Sequence, residues 1–438
     1  MATYANYKPS NIPWVGDIPS HWNVVRLKYR CSLKGRIGWN GLKSEEFKED
    51  AYAYLVTGQD FVGKDIDWSK CYQIDQWRYD EDPFIQLKNG DLLITKDGTI
   101  GKVAQVVNLD KPACLNSGIF VLKQHKGAFT QEYLYWTLVS TQLLDFTNYN
   151  SGGSTTIQHL YQNVFENMPL IIPPLEEQKA ITQYLDNKCG SIDKVIAIQE
   201  KRVEYLTDLK NRIITDAVTK GINPDAAMKN SGVEWIGQIP SHWDVIPLKF
   251  TGTFGNGLTY KPEDVCESDG ILVLRSSNIQ DSLLDFEDTV YVKDCPQELI
   301  VENGDIIICS RNGSASLVGK CAMVTGNINA TFGAFMMRYR PNAHPRYAFY
   351  MLQAALKKYK GLYSTTTINQ LTKGVIAQIK VALPEYSEQD VIATYLDEKC
   401  ENINSIIKKA KREIEFLKEF KQSIITDAVT GKIKVYNL

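Results

Sequence analysis

Short apolar runs and long heptad stretches alternate along this chain, and the whole alternation occurs twice. Asp91-Leu-Leu-Ile-Thr95 and Asp305-Ile-Ile-Ile-Cys309 are buried-strand runs, each preceded by an Asn-Gly turn. Each leads into a polar glycine loop, residues 96–102 and 311–320. Further on, 114–122 and 330–340 are each predicted as one strand, and the aromatic-rich stretches 131–146 and 346–356 as helices. Pro173-Pro174 and Pro384 precede acidic helix starts, where carboxylates favour the positive end of the dipole. Gly190-Ser191 and Asn402 predict a break and a fresh N-cap. That leaves long helices over about 192–219 and 403–430, each ~42 Å at ~1.5 Å per residue.

The long helices carry a seven-residue apolar period. Leu185, Ile192, Leu206 and Ile213 interleave with Ile196 and Val203, interrupted by Gln199 and Lys210. In the second copy Leu396, Ile403, Leu417 and Ile424 interleave with Ile407 and Ile414, interrupted by Lys421. This is a coiled-coil seam. Both helices exceed the ~12-residue average of globular proteins, so we expect an antiparallel pair acting as a spacer, rather than a short packed hairpin.

The duplication is explicit in the sequence. Ile12-Pro-Trp-Val-Gly-Asp-Ile-Pro-Ser-His-Trp22 returns as Val233-Glu-Trp-Ile-Gly-Gln-Ile-Pro-Ser-His-Trp243, 221 positions later. Tyr184-Leu-Asp-Asn-Lys-Cys189 returns ending at Cys400, and Ile213-Ile-Thr-Asp-Ala-Val-Thr219 returns unchanged at 424–430, both 211 positions later. Between these anchors the copies diverge, and the first middle is ten residues longer. The expected fold is mixed α/β (α+β), with two globular recognition domains separated by a long antiparallel helical coiled coil and related by an internal pseudo-two-fold repeat. The expected boundaries are 1–168 and 223–378 for the globular domains, and 169–222 and 379–438 for the helical regions. Two similar modules with different middles suit related but distinct recognition tasks better than one active site.

Composition narrows the function. With 49 Lys+Arg against 51 Asp+Glu the net charge is -2, which excludes a uniformly basic nucleic-acid coat and makes any phosphate binding local. The longest apolar stretches fall short of the ~20 residues of a membrane span, and the first residues lack an apolar signal core, so no membrane association and a cytoplasmic location are expected. Nine cysteines, odd in number and without CxxC, predict reduced thiols rather than disulfides or a zinc site.

Two sets of residues could carry binding chemistry. The glycine loops bring Lys96, Thr99 and Lys102, and in the second copy Arg311, Asn312, Ser314 and Lys320, where cations and amides reach phosphates or base edges. Their spacing does not make a phosphate-binding Walker loop, and an ordinary hairpin with solvated charges is the plain alternative. The hydroxyl runs bring Ser154, Thr155, Thr156 and Gln158, and Thr365, Thr366, Thr367 and Asn369, which offer free N–H groups and hydroxyls at a helix entrance. A capping segment without a ligand is the alternative there. Arg275 completes the candidate DNA contacts. No catalytic or metal-binding residues are predicted. There is no GxGxxG unit, Asp82-Pro-Phe84 lacks the second proline of a base-methyltransferase motif, and His21 and His242 read as packing residues. Cys189 and Cys400, matched inside the helices, read as core.

The ordered, duplicated set of motifs resembles the specificity subunit of type I restriction–modification systems over essentially the whole chain. The resemblance rests on the Ile-Pro-Ser-His-Trp openings, the Pro-Pro-Leu-Glu-Glu-Gln and Tyr-Leu-Asp helix starts, and the Ile-Thr-Asp-Ala-Val-Thr ends. It implies a non-catalytic chain whose two middles each read one half of a split site in double-stranded DNA. It also implies that the coiled coil docks two methyltransferase subunits, with restriction subunits as further partners. No cofactor is then expected in this chain: S-adenosylmethionine belongs to the methyltransferases, ATP and Mg to the restriction subunit. The ~42 Å helices are the right size for half-sites one DNA turn, ~34–36 Å, apart. A scaffold binding protein ligands is the alternative from another class, and a stand-alone nuclease or methyltransferase a third.

Overall fold

Both copies build the same arrangement of strands. The computed structural model describes residues 2–36, 41–125, 127, 129–150, 159–363 and 370–436. Contacts divide the chain into one unit of 1–199 with 412–438 and a second of 200–411, so each long helix gives one half to each unit.

In the first unit a four-stranded antiparallel sheet runs Val103–Gln105, Leu92–Thr95, Ile119–Gln124, Cys31–Gly35. Beside it lies a three-stranded sheet in which Ala113–Leu115 pairs parallel with Ala53–Val56. The second unit repeats this order. Cys321–Met323, Ile306–Cys309, Met336–Pro341 and Gly252–Asn256 form the antiparallel sheet, and Ile271–Leu274 pairs parallel with Ala330–Phe332. The runs at 92–95 and 306–309 are buried at every position, which is why they read as continuous apolar strands.

The predicted strands 114–122 and 330–340 are each two strands. Ala113–Leu115 and Ile119–Gln124 belong to different sheets, as do Ala330–Phe332 and Met336–Pro341. The chain turns a corner at 116–118 and 333–335: Asn116-Ser117-Gly118 is a turn signal inside the first run, whereas in the second only Gly333 marks the turn within an otherwise apolar stretch. The predicted helix 131–146 is likewise two, Gln131–Val139 and Thr141–Asn150, divided at Ser140. Arg346 to Leu356 lies inside the helix Pro345–Tyr363.

The helix breaks expected at Gly190-Ser191 and Asn402 do not occur. The long helices run unbroken over Leu175–Lys220 and Tyr386–Val429. A helical glycine costs only ~1 kcal/mol against alanine. Ser191 Oγ donates to Asn187 O at 2.9 Å within the helix, and Leu185 and Cys189 are buried beside it. With 46 and 44 residues the helices measure ~69 and ~66 Å, so their length alone sets no half-site spacing of one DNA turn.

The helices pair antiparallel inside each unit. In the first, Lys421 Nζ meets Asp193 at 2.6 and 2.7 Å, and Gln199 Nε2 donates to Glu413 Oε2 at 3.0 Å. In the second, Lys210 Nζ donates to Asn404 Oδ1 at 2.9 Å. The polar interruptions of the seam are thus cross-helix polar pairs, a device that fixes register. Leu185, Ile196, Leu396, Ile403, Ile407, Ile414 and Ile424 are buried; Ile192, Val203, Leu206, Ile213 and Leu417 are half-buried.

The duplicated opening motif closes each unit onto a helix start. Trp22 is fully buried, and its indole Nε1 donates to Glu177 Oε2 at 3.0 Å; His21 Nε2 lies 2.6 Å from Glu177 Oε1, and Tyr4 OH donates to the same carboxylate at 2.9 Å. In the second unit Trp243 Nε1 and His242 Nε2 meet Glu388 Oε2 at 3.0 and 2.8 Å. Both histidines therefore pack and hydrogen-bond, as their motif predicts. Cys189 and Cys400 are core.

Candidate nucleic-acid interface

The glycine loops are closed in the same way in both units. In the first, Thr95 N donates to Lys102 O at 3.0 Å and Gly101 N to Thr95 O at 3.0 Å. In the second, Cys309 N donates to Lys320 O at 2.8 Å and Gly319 N to Cys309 O at 2.9 Å. Lys102 and Lys320 are thus structural counterparts at the loop exits, and the second loop is longer between them.

The same loops bind the corner between the split strands. Lys96 N donates to Gly118 O at 2.9 Å, and Ser310 N to Phe335 O at 2.9 Å. They also hold the chain just beyond the hydroxyl runs: Leu160 N donates to Lys96 O at 2.9 Å, and Leu371 N to Ser310 O at 2.7 Å. The two candidate segments of the sequence therefore converge in each unit through their flanks. Ser154, Thr155, Thr156, Gln158, Thr365, Thr366, Thr367 and Asn369 themselves lie outside the described residues.

In the second unit the convergence forms a cleft of about 1010 Å³. Arg275, Arg311 and Asn312 line it, together with Tyr260, Phe335 and Met336. The Arg311 guanidinium lies over the Phe335 ring, 5.3 Å from its centroid, and Phe335 is 60% exposed. Asn312 Nδ2 donates to Ser276 Oγ at 3.3 Å. Arg275 Nη2 pairs with Asp288 Oδ1 at 2.8 Å, and this guanidinium holds the Asp288 carboxyl below the usual carboxylate range. The Arg275 Nε is buried with no hydrogen-bond partner among the described residues. Lys320 Nζ reaches Ser276 O at 3.5 Å and Gln280 Oε1 at 3.4 Å, beside the cleft. Ser314 is exposed and does not line the cleft; its N–H donates to Asn312 Oδ1 at 3.0 Å.

In the first unit Lys96 is half-buried, with Nζ 5.0 Å from the centroid of the Phe120 ring. Thr99 is exposed, and its carbonyl accepts from Thr95 Oγ1 at 2.5 Å. Lys102 lines a separate cleft of about 780 Å³, walled by Ile100, Tyr135, Leu138 and Leu143. Asp97 follows Lys96 and hydrogen-bonds His159 Nδ1.

Sequence reasoning passed over Tyr260, Phe335, Asp97 and His159. One signal was available in Gly255-Asn-Gly257, which is too short for a dinucleotide-binding motif but marks a close backbone approach. A Cβ on Gly257 would sit 2.0 Å from Gly333 O, so only glycine lets these two backbones meet. That contact carries the chain on to Leu258, Thr259 and Tyr260 at the cleft wall. Among the described residues no cluster of three or more His, Cys, Asp or Glu could hold a metal, and no described helix is long and apolar enough to cross a membrane.

Comparison with known proteins agrees with this duplicated layout. The family model for the type I restriction modification DNA specificity domain matches twice, over residues 19–207 and 240–416. The chain is 26% identical to the type I restriction enzyme MjaVIII specificity subunit of Methanocaldococcus jannaschii, over 96% of this chain and 95% of that one. It is 29% identical to the type I restriction enzyme EcoKI specificity subunit of Escherichia coli K12, over 45% and 44%. A solved structure from a description of complex assembly and conformational transition of the type I R-M system shares the fold, with a TM-score of 0.68 at 17% identity over 95% of this chain and 99% of that one. The chain belongs to the type I restriction–modification DNA specificity family.

Proposed function

We propose that this chain is the DNA-reading subunit of a type I restriction–modification complex, with each unit reading one half of a bipartite, asymmetric site in double-stranded DNA. The observation that carries the reading is the twofold convergence of the glycine loop, the strand corner and the flank of the hydroxyl run. One scaffold presents different side chains at the same place in each unit. Phosphate contacts position such a reader, and side chains at base edges specify the sequence. Lys96, Thr99, Lys102, Arg275, Arg311, Asn312, Ser314 and Lys320 supply cations, amides and hydroxyls for both tasks.

Two methyltransferase subunits dock on the helix pair. Support for this comes from exposed apolar side chains outside the seam. In the first unit Phe416 and Phe420 lie exposed with their rings stacked at 6.1 Å, and Val195 and Ile198 are exposed on the paired helix. Contiguous exposed apolar surface marks interaction sites. S-adenosylmethionine is then bound by those partners, and ATP and Mg by a restriction subunit, all in the cytoplasm. This chain contributes recognition rather than catalysis.

Methylation-site mapping in cells carrying the neighbouring methyltransferase, with and without this chain, tests the reading. A chain-dependent split motif is the expected result. No chain-dependent methylation, together with no DNA binding by the purified complex, would favour a protein-binding scaffold instead.

A further inference from the structure

Structural matching of the two units extends the pairing of the strand runs Asp91–Thr95 and Asp305–Cys309 into the loops that follow them. Ser310 and Lys96 occupy the same place, since each N–H donates to the strand corner and each carbonyl accepts from the residue after the hydroxyl run. The next residue is therefore Arg311 in the second unit and Asp97 in the first. Phe335 in turn matches Gly118. The residues across the loop correspond as well: Arg311 pairs with Gln370 through a backbone β-bridge, and the Asp97 carboxylate hydrogen-bonds the His159 ring. At one position of a shared scaffold, one unit presents a fork of donors lying over an aromatic ring, and the other presents an acceptor.

We propose that the second unit reads a guanine with Arg311, and that the first unit reads a base amino group, of cytosine or adenine, with Asp97; this rests on the DNA-reading function proposed above. Guanine is the base whose major-groove edge shows two acceptors, O6 and N7, matched by a guanidinium fork, whereas a carboxylate accepts from an exocyclic amine. Its place over the Phe335 ring restrains the Arg311 guanidinium in advance, so less side-chain freedom is lost on contact. Arg275, held by Asp288, places a second guanidinium at a fixed position on the cleft wall. Asp97 carries a charge that repels phosphate, which argues against a backbone-positioning role and for a base-edge one. The half-sites are then read with opposite hydrogen-bonding polarity at the matched position.

The test uses the full chain in complex with its methyltransferase. Methylated motifs are mapped for wild type, Arg311→Ala, Phe335→Ala and Asp97→Ala, and affinities are measured on the wild-type motif and on duplexes with each base pair of one half replaced. Arg311→Ala should abolish the requirement for guanine at one position of one half-site and weaken cognate binding about 5- to 150-fold, the range of one bidentate base contact. Phe335→Ala, which keeps the cation, should relax the same position to a smaller degree. Asp97→Ala should alter only the other half-site. Unchanged preference with Arg311→Ala, or a uniform loss over all sequences, overturns the guanine assignment while the DNA-reading function stands; a uniform loss identifies a phosphate contact. Absence of any wild-type motif defeats the DNA-reading function itself and the inference with it. Matching melting temperatures of the variant complexes exclude misfolding as the cause.

Discussion

Trp22 donates its indole N–H to the buried carboxylate of Glu177 at 3.0 Å, across 155 residues of sequence. The same carboxylate accepts from Tyr4, and His21 lies on its other oxygen. The acid serves as the lock between the opening motif and the first long helix. Glu177→Ala leaves the Trp22 indole and the Tyr4 hydroxyl buried without their acceptor. An unsatisfied buried donor costs ~1–3 kcal/mol, so the variant should lose roughly 3 kcal/mol of unfolding free energy. Glu177→Gln, which retains an acceptor oxygen, should lose less. Urea unfolding of the three chains measures both; equal stability of Glu177→Ala and wild type would refute the lock.

The buried thiols set an alkaline limit on stability. Burial pushes Cys31 up to about 12 and Cys189 up to about 11 in the first unit, and Cys321 up to about 12 in the second, from an ordinary 9.0. An acid whose folded pKa is raised favours the folded state while it stays neutral. Its contribution is fully present below pH ~9 and is lost as the unfolded chain ionises first, between about 9 and 11–12. Unfolding free energy should therefore fall as pH rises from 9 to 11. Iodoacetamide should label these thiols slowly at pH 8 in the native chain and rapidly in urea. Fast native labelling of Cys31, Cys189 and Cys321 would contradict their burial.

The seam and its polar rim should separate cleanly by magnitude. Lys421 and Asp193 pair at 2.6 Å with the aspartate half exposed, and such pairs are worth ~0.2–1 kcal/mol. Lys421→Ala should therefore shift stability by less than about 1 kcal/mol. Leu206→Asp and Leu417→Asp place a charge at half-buried seam positions and should cost roughly 2–4 kcal/mol. They should also reduce association with the methyltransferase, read by co-purification. Assembly at wild-type strength with either aspartate variant would argue against a helix pair held by this seam.

What could be read in the sequence was local. The buried runs 92–95 and 306–309, the two long helices and their heptad period all express patterns of a few residues. The corner at 333–335 is hidden in an apolar run broken only by Gly333, whereas the one at 116–118 was readable from Asn116-Ser117-Gly118, a turn signal passed over in favour of the flanking apolar residues. Gly190 misled for the opposite reason: its propensity cost is real but smaller than the packing of Leu185 and Cys189. The cleft was legible only in part. Arg275, Arg311 and Asn312 were singled out as separate polar residues, but Phe335 and Tyr260 join them through long-range parallel pairings, Ile271–Leu274 beside Ala330–Phe332 and Leu258 beside Gly333, which no local pattern encodes.

The exposed aromatic pair on the second long helix carries the last prediction. Phe416 is 63% and Phe420 40% exposed, and their rings stack nearly parallel outside the seam. Neither fills the core, so Phe416→Ser with Phe420→Ser should leave the melting temperature nearly unchanged; surface substitutions usually fall within about 0.5 kcal/mol. If a methyltransferase covers this strip, aromatic anchors at its centre carry a large share of the binding, ~2 kcal/mol or more each. Because such values are not additive, the double variant should weaken assembly by at least the share of one anchor, about 30-fold for ~2 kcal/mol, while Val195→Ser and Ile198→Ser on the paired helix act more mildly. Titration of purified methyltransferase against wild type and the double variant reads the difference. Unchanged affinity with an unchanged melting temperature would move the docking surface elsewhere on the chain.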